Sequence, residues 1–127
     1  ERGVEVTSVQ RINPPVSVGE GRKAMQHLID EDNIPTGVIC SNDLITLGAV
    51  SALKASGIAV PSRVALIGFG DIDFAAHVSP SLSTFQVQST DIGKIAAQML
   101  LARLEKGAQR GTLKQNLGFQ FEDRETS

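Results

Sequence analysis

Apolar runs broken by proline, glycine and small polar residues divide the chain into alternating extended and helical stretches. Val4 to Ile12 is rich in β-branched residues with partial alternation, and Asn13-Pro14-Pro15 follows, so a short strand is predicted that ends where proline can no longer donate to a ladder. Ser17 and Glu20 have the spacing of a capping box, which predicts a helix from Ser17 to Glu31 with Ala24, Met25, Leu28 and Ile29 on its apolar face. Gly37 to Cys40 is continuously apolar, Asn42-Asp43 can cap a helix, Leu44 to Ser56 carries it, Gly57 ends it, and Val64 to Ile67 is again apolar. Strands apolar on both sides are buried on both sides and pair in parallel, so this stretch reads as a βαβ unit of about 30 residues.

Past it, His77 to Ser83 has loop composition, Thr84 to Val87 is briefly extended, and Ser89-Thr90-Asp91 caps a helix that runs to Gly107 with Ile92, Ile95, Ala96, Met99 and Leu100 on one face. A last strand is predicted over Leu113 to Phe121, ahead of a charged tail. The pattern is that of an α/β domain with a parallel sheet. The Leu44 to Ser56 helix has only Thr46, Ser51, Lys54 and Ser56 as polar side chains, so more than one of its faces must be covered. The sheet is one cover; the other is an overlying element of the same chain or a partner subunit, and periodicity leaves both open.

The length of 127 residues suits one domain. With 12 basic and 14 acidic side chains, the chain has none of the positive excess that phosphate neutralisation requires, so on its own it is not expected to hold nucleic acid. No apolar run approaches the roughly 18 residues of a membrane span. The single cysteine, Cys40, sits in an apolar run and reads as a small buried hydrophobe, which leaves no internal disulfide and fits a reducing cytoplasm. His27 reads as a solvated surface group and His77 has no second histidine or cysteine nearby, so no metal site is expected. No serine or cysteine stands beside an evident base, and no catalytic residue is assigned. Gly68-Phe69-Gly70 has two glycines of a dinucleotide fingerprint, but Asp73 occupies the third position, where a carboxylate opposes a pyrophosphate; no cofactor is expected. The opening Glu1-Arg2-Gly3-Val4 has neither an initiator methionine nor a signal peptide, which suggests an excised piece.

Open α/β sheets bind ligands at the carboxyl ends of their strands. Two such ends are chemically loaded here: Ser41-Asn42-Asp43 after one strand and Phe69-Gly70-Asp71 after its neighbour. Asn42 and Asp43 have an ordinary explanation as helix caps, worth about 1 kcal/mol, beside the functional one.

Pro35 to Asp43, Leu47-Gly48-Ala49, Gly57 to Pro61, Val64 to Asp71, Phe74-Ala75-Ala76 and Pro80 to Thr84 together resemble the LacI/GalR family of transcription regulators, in order and spacing, over roughly residues 15 to 106. Phe69-Gly70-Asp71 with Phe74 to His77 is most similar to the gluconate-repressor branch. The resemblance implies a Rossmann-like subdomain of the type I periplasmic-binding-protein fold, a three-layer αβα arrangement, and makes residues 1–127 the C-terminal part of an effector-binding and dimerisation domain. Segment 87–107 would then cross back to a first subdomain, and operator DNA would be reached only through an N-terminal headpiece outside this sequence.

By the same resemblance, Asn42 matches a cleft asparagine that hydrogen-bonds ligand hydroxyls, and Val16 stands where an aromatic ring often stacks on the ligand, with Ser17 beside it. Phe69, Gly70 and Asp71 form the second lip. Gly70 departs from the family, many of whose members have an aspartate there. The loss of that charge suggests an acidic sugar such as gluconate as effector. A homodimer is implied through Leu47 and Val50 of the apolar helix and through His77, Val78 and Leu82. A periplasmic sugar-binding protein and a Rossmann-like enzyme acting on sugar acids are the alternatives at this stage.

Overall fold

The computed structural model describes residues 9–105 and 114–127. Helix α1 spans Val18–Asp30, strand β1 Gly37–Ile39, helix α2 Asp43–Ala55, strand β2 Ala65–Gly70, strand β3 Thr84–Gln86, helix α3 Ser89–Glu105 and strand β4 Gln120–Glu122; a four-residue 3-10 turn, Asp73–Ala76, follows β2. The expected strand at Val4 to Ile12 lies partly outside the described residues, and Val9 to Ile12 are unpaired coil. The last strand is shorter and later than expected: Leu113 lies outside the described residues, and pairing begins only at Gln120.

The capping box at α1 forms by half. Ser17 Oγ accepts from the Glu20 amide at 3.1 Å. Glu20 turns outward to Lys23 at 2.7 Å, and the Ser17 amide donates instead to the Pro15 carbonyl at 3.0 Å. One satisfied orphan donor suffices to start the helix.

The sheet has the order β1-β2-β3-β4. β1 pairs with β2 and β2 with β3 in parallel, as expected, but β4 returns antiparallel to β3, so the sheet is mixed. The charged tail that follows β4 is bonded to the sheet. Thr126 is fully buried; its carbonyl accepts from the Leu66 amide at 2.7 Å, and its hydroxyl donates to the Leu66 carbonyl at 2.9 Å and accepts from the Ser83 amide at 2.8 Å. A threonine can do this because its hydroxyl both donates and accepts, leaving no buried polar atom unpaired.

One face of the sheet, through Leu66, packs with Val64, Ala75 and Leu82 on Ala49, Val50, Ala52 and Leu53 of α2, and Met25 and Leu28 of α1 complete the core. The second cover of α2 is therefore α1, an element of the same chain. Two glycines permit the contact. A Cβ on Gly48 would lie against the Val18 carbonyl and 2.6 Å from the Arg22 nitrogen, and one on Gly21 would lie 2.8 Å from the Ile45 Cα. The helix backbones touch where those side chains are missing.

This close approach predicts that Gly48→Ala costs about 2 kcal/mol, because backbone cannot move aside as a flexible side chain would. Gly37→Ala, which meets nothing within 4 Å, should stay within about 0.5 kcal/mol of the parent. Urea unfolding of the two variants measures the difference, and equal midpoints would contradict the backbone contact.

Candidate functional site

The two loaded strand ends are joined by one carboxylate. Asp43 begins α2 and is fully buried. Its Oδ1 accepts from Thr84 Oγ1 at 2.7 Å and its Oδ2 from the Ile72 amide at 3.1 Å. The start of α2, the loop after β2 and the first residue of β3 thus meet on a single side chain. Gly68 is required beside it, since a Cβ there would collide with Asp43 Oδ1 and lie 2.9 Å from Thr46 Oγ1. Asp43 also stands in the first turn of its helix, where the backbone dipole favours negative charge.

Neighbouring Cys40 is buried, its amide bonded to the Ile67 carbonyl at 2.8 Å. Burial pushes its thiol above the usual range; the Asp43 charge adds to the rise and a hydrogen bond with Thr46 opposes it. The thiol is held protonated, as an inert core group.

Asn42 caps α2 through Oδ1, which accepts from the Leu44 amide at 2.8 Å. Among the described residues its Nδ2 donates to nothing else in the chain, so it is available to a ligand oxygen. Asp71 is engaged at both oxygens: Arg124 Nη2 donates to Oδ1 at 2.7 Å and Gln86 Nε2 to Oδ2 at 3.0 Å. Arg124 further donates to the Leu82 carbonyl at 2.8 Å. Gly70 and Asp71 both have positive φ, 130° and 51°. Glycine takes that conformation freely; at Asp71 the arginine and glutamine hold it.

The placement of the sequence-derived site residues is uneven. Ser17 and exposed Val16 precede α1, whose first turn adjoins the first half of α2 through Val18 and Gly48. Ser17 uses its hydroxyl as a cap. Phe69 is half exposed, and a Cβ at Gly70 would be 3.5 Å from Asp43 Oδ2, so the second lip does border the first. Asp71, in contrast, is an internal tie rather than a free acceptor. Gln86, Thr84 and Arg124 were not legible as parts of this region, because nothing in their local sequence shows that β3 and the tail end beside Asp71.

Of the five residues expected at a dimer contact, Val50 and Leu82 are corrected to core positions: at 2% and 0% exposure they have no side-chain surface to offer. Leu47 and Val78 are half-buried against the core, and His77 is exposed. His27 is a surface residue beside Glu31. After β2 the chain enters the short 3-10 turn at Asp73 instead of a full helix, so the geometry that holds a pyrophosphate is missing there. Among the described residues, no group of three or more His, Cys, Asp or Glu side chains could hold a metal ion, and no helix is long and apolar enough to cross a membrane.

Known proteins share this fold. The family described as periplasmic binding protein-like domain matches residues 1–127. The chain belongs to that family, and its α/β three-layer architecture is the fold of LacI-type effector domains. A probable HTH-type transcriptional repressor, ExuR of Bacillus subtilis, is 40% identical over 86 residues, 68% of this chain and 26% of the repressor. A LacI family regulator from Arthrobacter, solved in complex with lactose, is 27% identical with a TM-score of 0.79, covering 89% of this chain and 42% of that one. The lac repressor dimer bound to operator and the anti-inducer ONPF is 26% identical with a TM-score of 0.80, covering 87% and 38%. The relatives are thus LacI-family transcription repressors, and the chain spans between 25% and 30% of the length of the curated ones.

Removing the carboxylate that joins the strand ends would leave the Thr84 hydroxyl and the Ile72 amide without partners. Asp43→Ala is expected to lose about 3 kcal/mol in urea unfolding, with Asp43→Asn in between because it keeps one acceptor. A parent-like midpoint for Asp43→Ala would show that the tie does not hold the loops.

Proposed function

We propose that this chain is the effector-sensing part of a cytoplasmic LacI-family transcription repressor, and that its cleft takes a sugar acid such as gluconate. The observation that carries the reading is the meeting of the β1 and β2 carboxyl ends at buried Asp43, the residue after Asn42. Val16 and Ser17 form the other lip. The relatives support it, since they are repressors and one was solved with a sugar bound. Contact with operator DNA belongs to a headpiece outside this sequence.

Charge favours an acidic ligand. Gly70 brings no carboxylate, Asp43 is enclosed, and Asp71 is neutralised by Arg124 at 2.7 Å, so none of the three repels an anion at full strength. A thermal-shift series on the protein with gluconate, glucose and a purine tests this. Gluconate alone is expected to raise Tm, by an amount equivalent to about 2.7 kcal/mol at 100 times its dissociation constant. A larger shift with glucose would overturn the sugar-acid reading.

The same proposal includes a homodimer through Leu47 of α2, His77 and Val78, the three predicted contact residues that keep accessible surface. The dimeric lac repressor among the structural relatives supports it. Leu47→Glu is expected to lower the sedimentation coefficient, with the helical circular dichroism unchanged. An unaltered coefficient would place the contact elsewhere.

A further inference from the structure

The net charge of the loop after β2 is set from the far end of the chain. Asp71 follows Gly70, which pairs in register with Gln86, and a Cβ on Gly70 would lie 3.5 Å from the Asp43 carboxylate. Asp71 therefore stands at the joined strand ends, one residue beyond a position that carries no side chain. Its carboxylate is 13% exposed, with Oδ1 accepting from Arg124 and Oδ2 from Gln86. Of those two donors, only Arg124 is charged.

Arg124 is oriented by contacts other than Asp71. Its amide donates to Ser83 Oγ at 2.9 Å and its Nη1 to the Leu82 carbonyl at 2.8 Å, which leaves Nη2 directed at Asp71 at 2.7 Å. From Gly118 to Ser127 the tail otherwise brings carboxylates, Glu122, Asp123 and Glu125, and Arg124 is its one cation. At 17% exposure the guanidinium is largely withdrawn from water. An ion pair in such a place is a costly way to join two segments, because desolvation offsets much of the attraction. The Gln86 amide shows that a neutral donor can hold Asp71 equally close. What Arg124 adds beyond a tie is its charge.

We infer that Arg124 is a specificity-determining residue of the cleft, acting through Asp71: it cancels the negative charge that Asp71 brings to the second lip, and so admits an anionic sugar that Asp71 alone would repel. The inference rests on the sugar-acid reading above and names the residue that makes it electrostatically possible. It also distinguishes charge from support. A pair with both charges, or with neither, is neutral toward a ligand, whereas a pair with one charge is not. Loss of a merely structural tie would weaken every ligand, whichever partner was replaced.

Calorimetric titration of the protein with gluconate and with glucitol, the neutral polyol of the same length, tests this at fixed ionic strength. Arg124→Gln uncovers the Asp71 charge and is expected to weaken gluconate about fivefold relative to glucitol, the order expected of one unit charge in partly solvated surroundings. Asp71→Asn leaves the guanidinium unpaired and is expected to shift the ratio by about the same factor the other way. The double variant, which sets two amides against each other, is expected to return the ratio to within about twofold of the parent. Arg124→Lys, which keeps the charge but not the fork geometry, is expected to fall between Arg124→Gln and the parent. Should Arg124→Gln not fold, Asp71→Asn against the double variant carries the same test of sign. Equal weakening of both ligands in both single variants would overturn the inference and leave the sugar-acid reading standing. A parent that prefers glucitol would overturn that reading, while opposite shifts in the two single variants would still support the role of Arg124. A parent that binds neither ligand would overturn both.

Discussion

The buried carboxylate of Asp43 is the contact on which the rest of the site depends. A charge enclosed in protein is tolerated only when its oxygens are hydrogen-bonded, and here the partners come from two other parts of the chain, the Ile72 amide and the Thr84 hydroxyl. That need draws the start of α2, the β2 loop and β3 to one point. It also explains Gly68, because the space its side chain would fill belongs to Asp43. Asn42 is placed by consequence, because it caps the same helix.

A second tie, Arg124 to Asp71, links the same loop to the end of the chain. Both groups are largely buried, and the guanidinium also reaches the Leu82 carbonyl, so the pair is held by hydrogen bonds as much as by charge. Thr126 and Glu125 extend this attachment, the first inside the sheet and the second through Ser81, whose amide and hydroxyl hold the Glu125 carboxyl below its ordinary range. The tail is thus tied to the loop after β2, and the positive-φ conformation at Asp71 is maintained from more than 50 residues away in sequence.

The two faces of the sheet are covered unequally. α1 and the sheet enclose α2, with Gly21 and Gly48 allowing backbone contact, so the helix that looked too apolar for one neighbour has two within its own chain. α3 and the outer sheet face lack that closure. The asymmetry separates a well-packed half, which holds the strand ends together, from a half whose apolar side chains are exposed in this chain.

Periodicity and punctuation determined most of the elements by themselves. Asn42 before an apolar run, Gly57 after it and proline at 35 are local signals, and the helices α1, α2 and α3 and the strands β1 and β2 lie within a few residues of where those signals place them. The strand-end loops were legible for the same reason, as was the buried state of Cys40. What could not be read was every relation between distant segments. The antiparallel return of β4, the burial of Thr126, the pairing of Asp71 with Arg124 and the cover of α2 by α1 depend on which surfaces meet in space, and Val50 and Leu82 changed from interface to core on that account alone. A sequence specifies which side chains must be buried or paired; only packing of the whole chain decides which partner does it, because each apolar face or buried charge accepts any neighbour of the right shape and polarity.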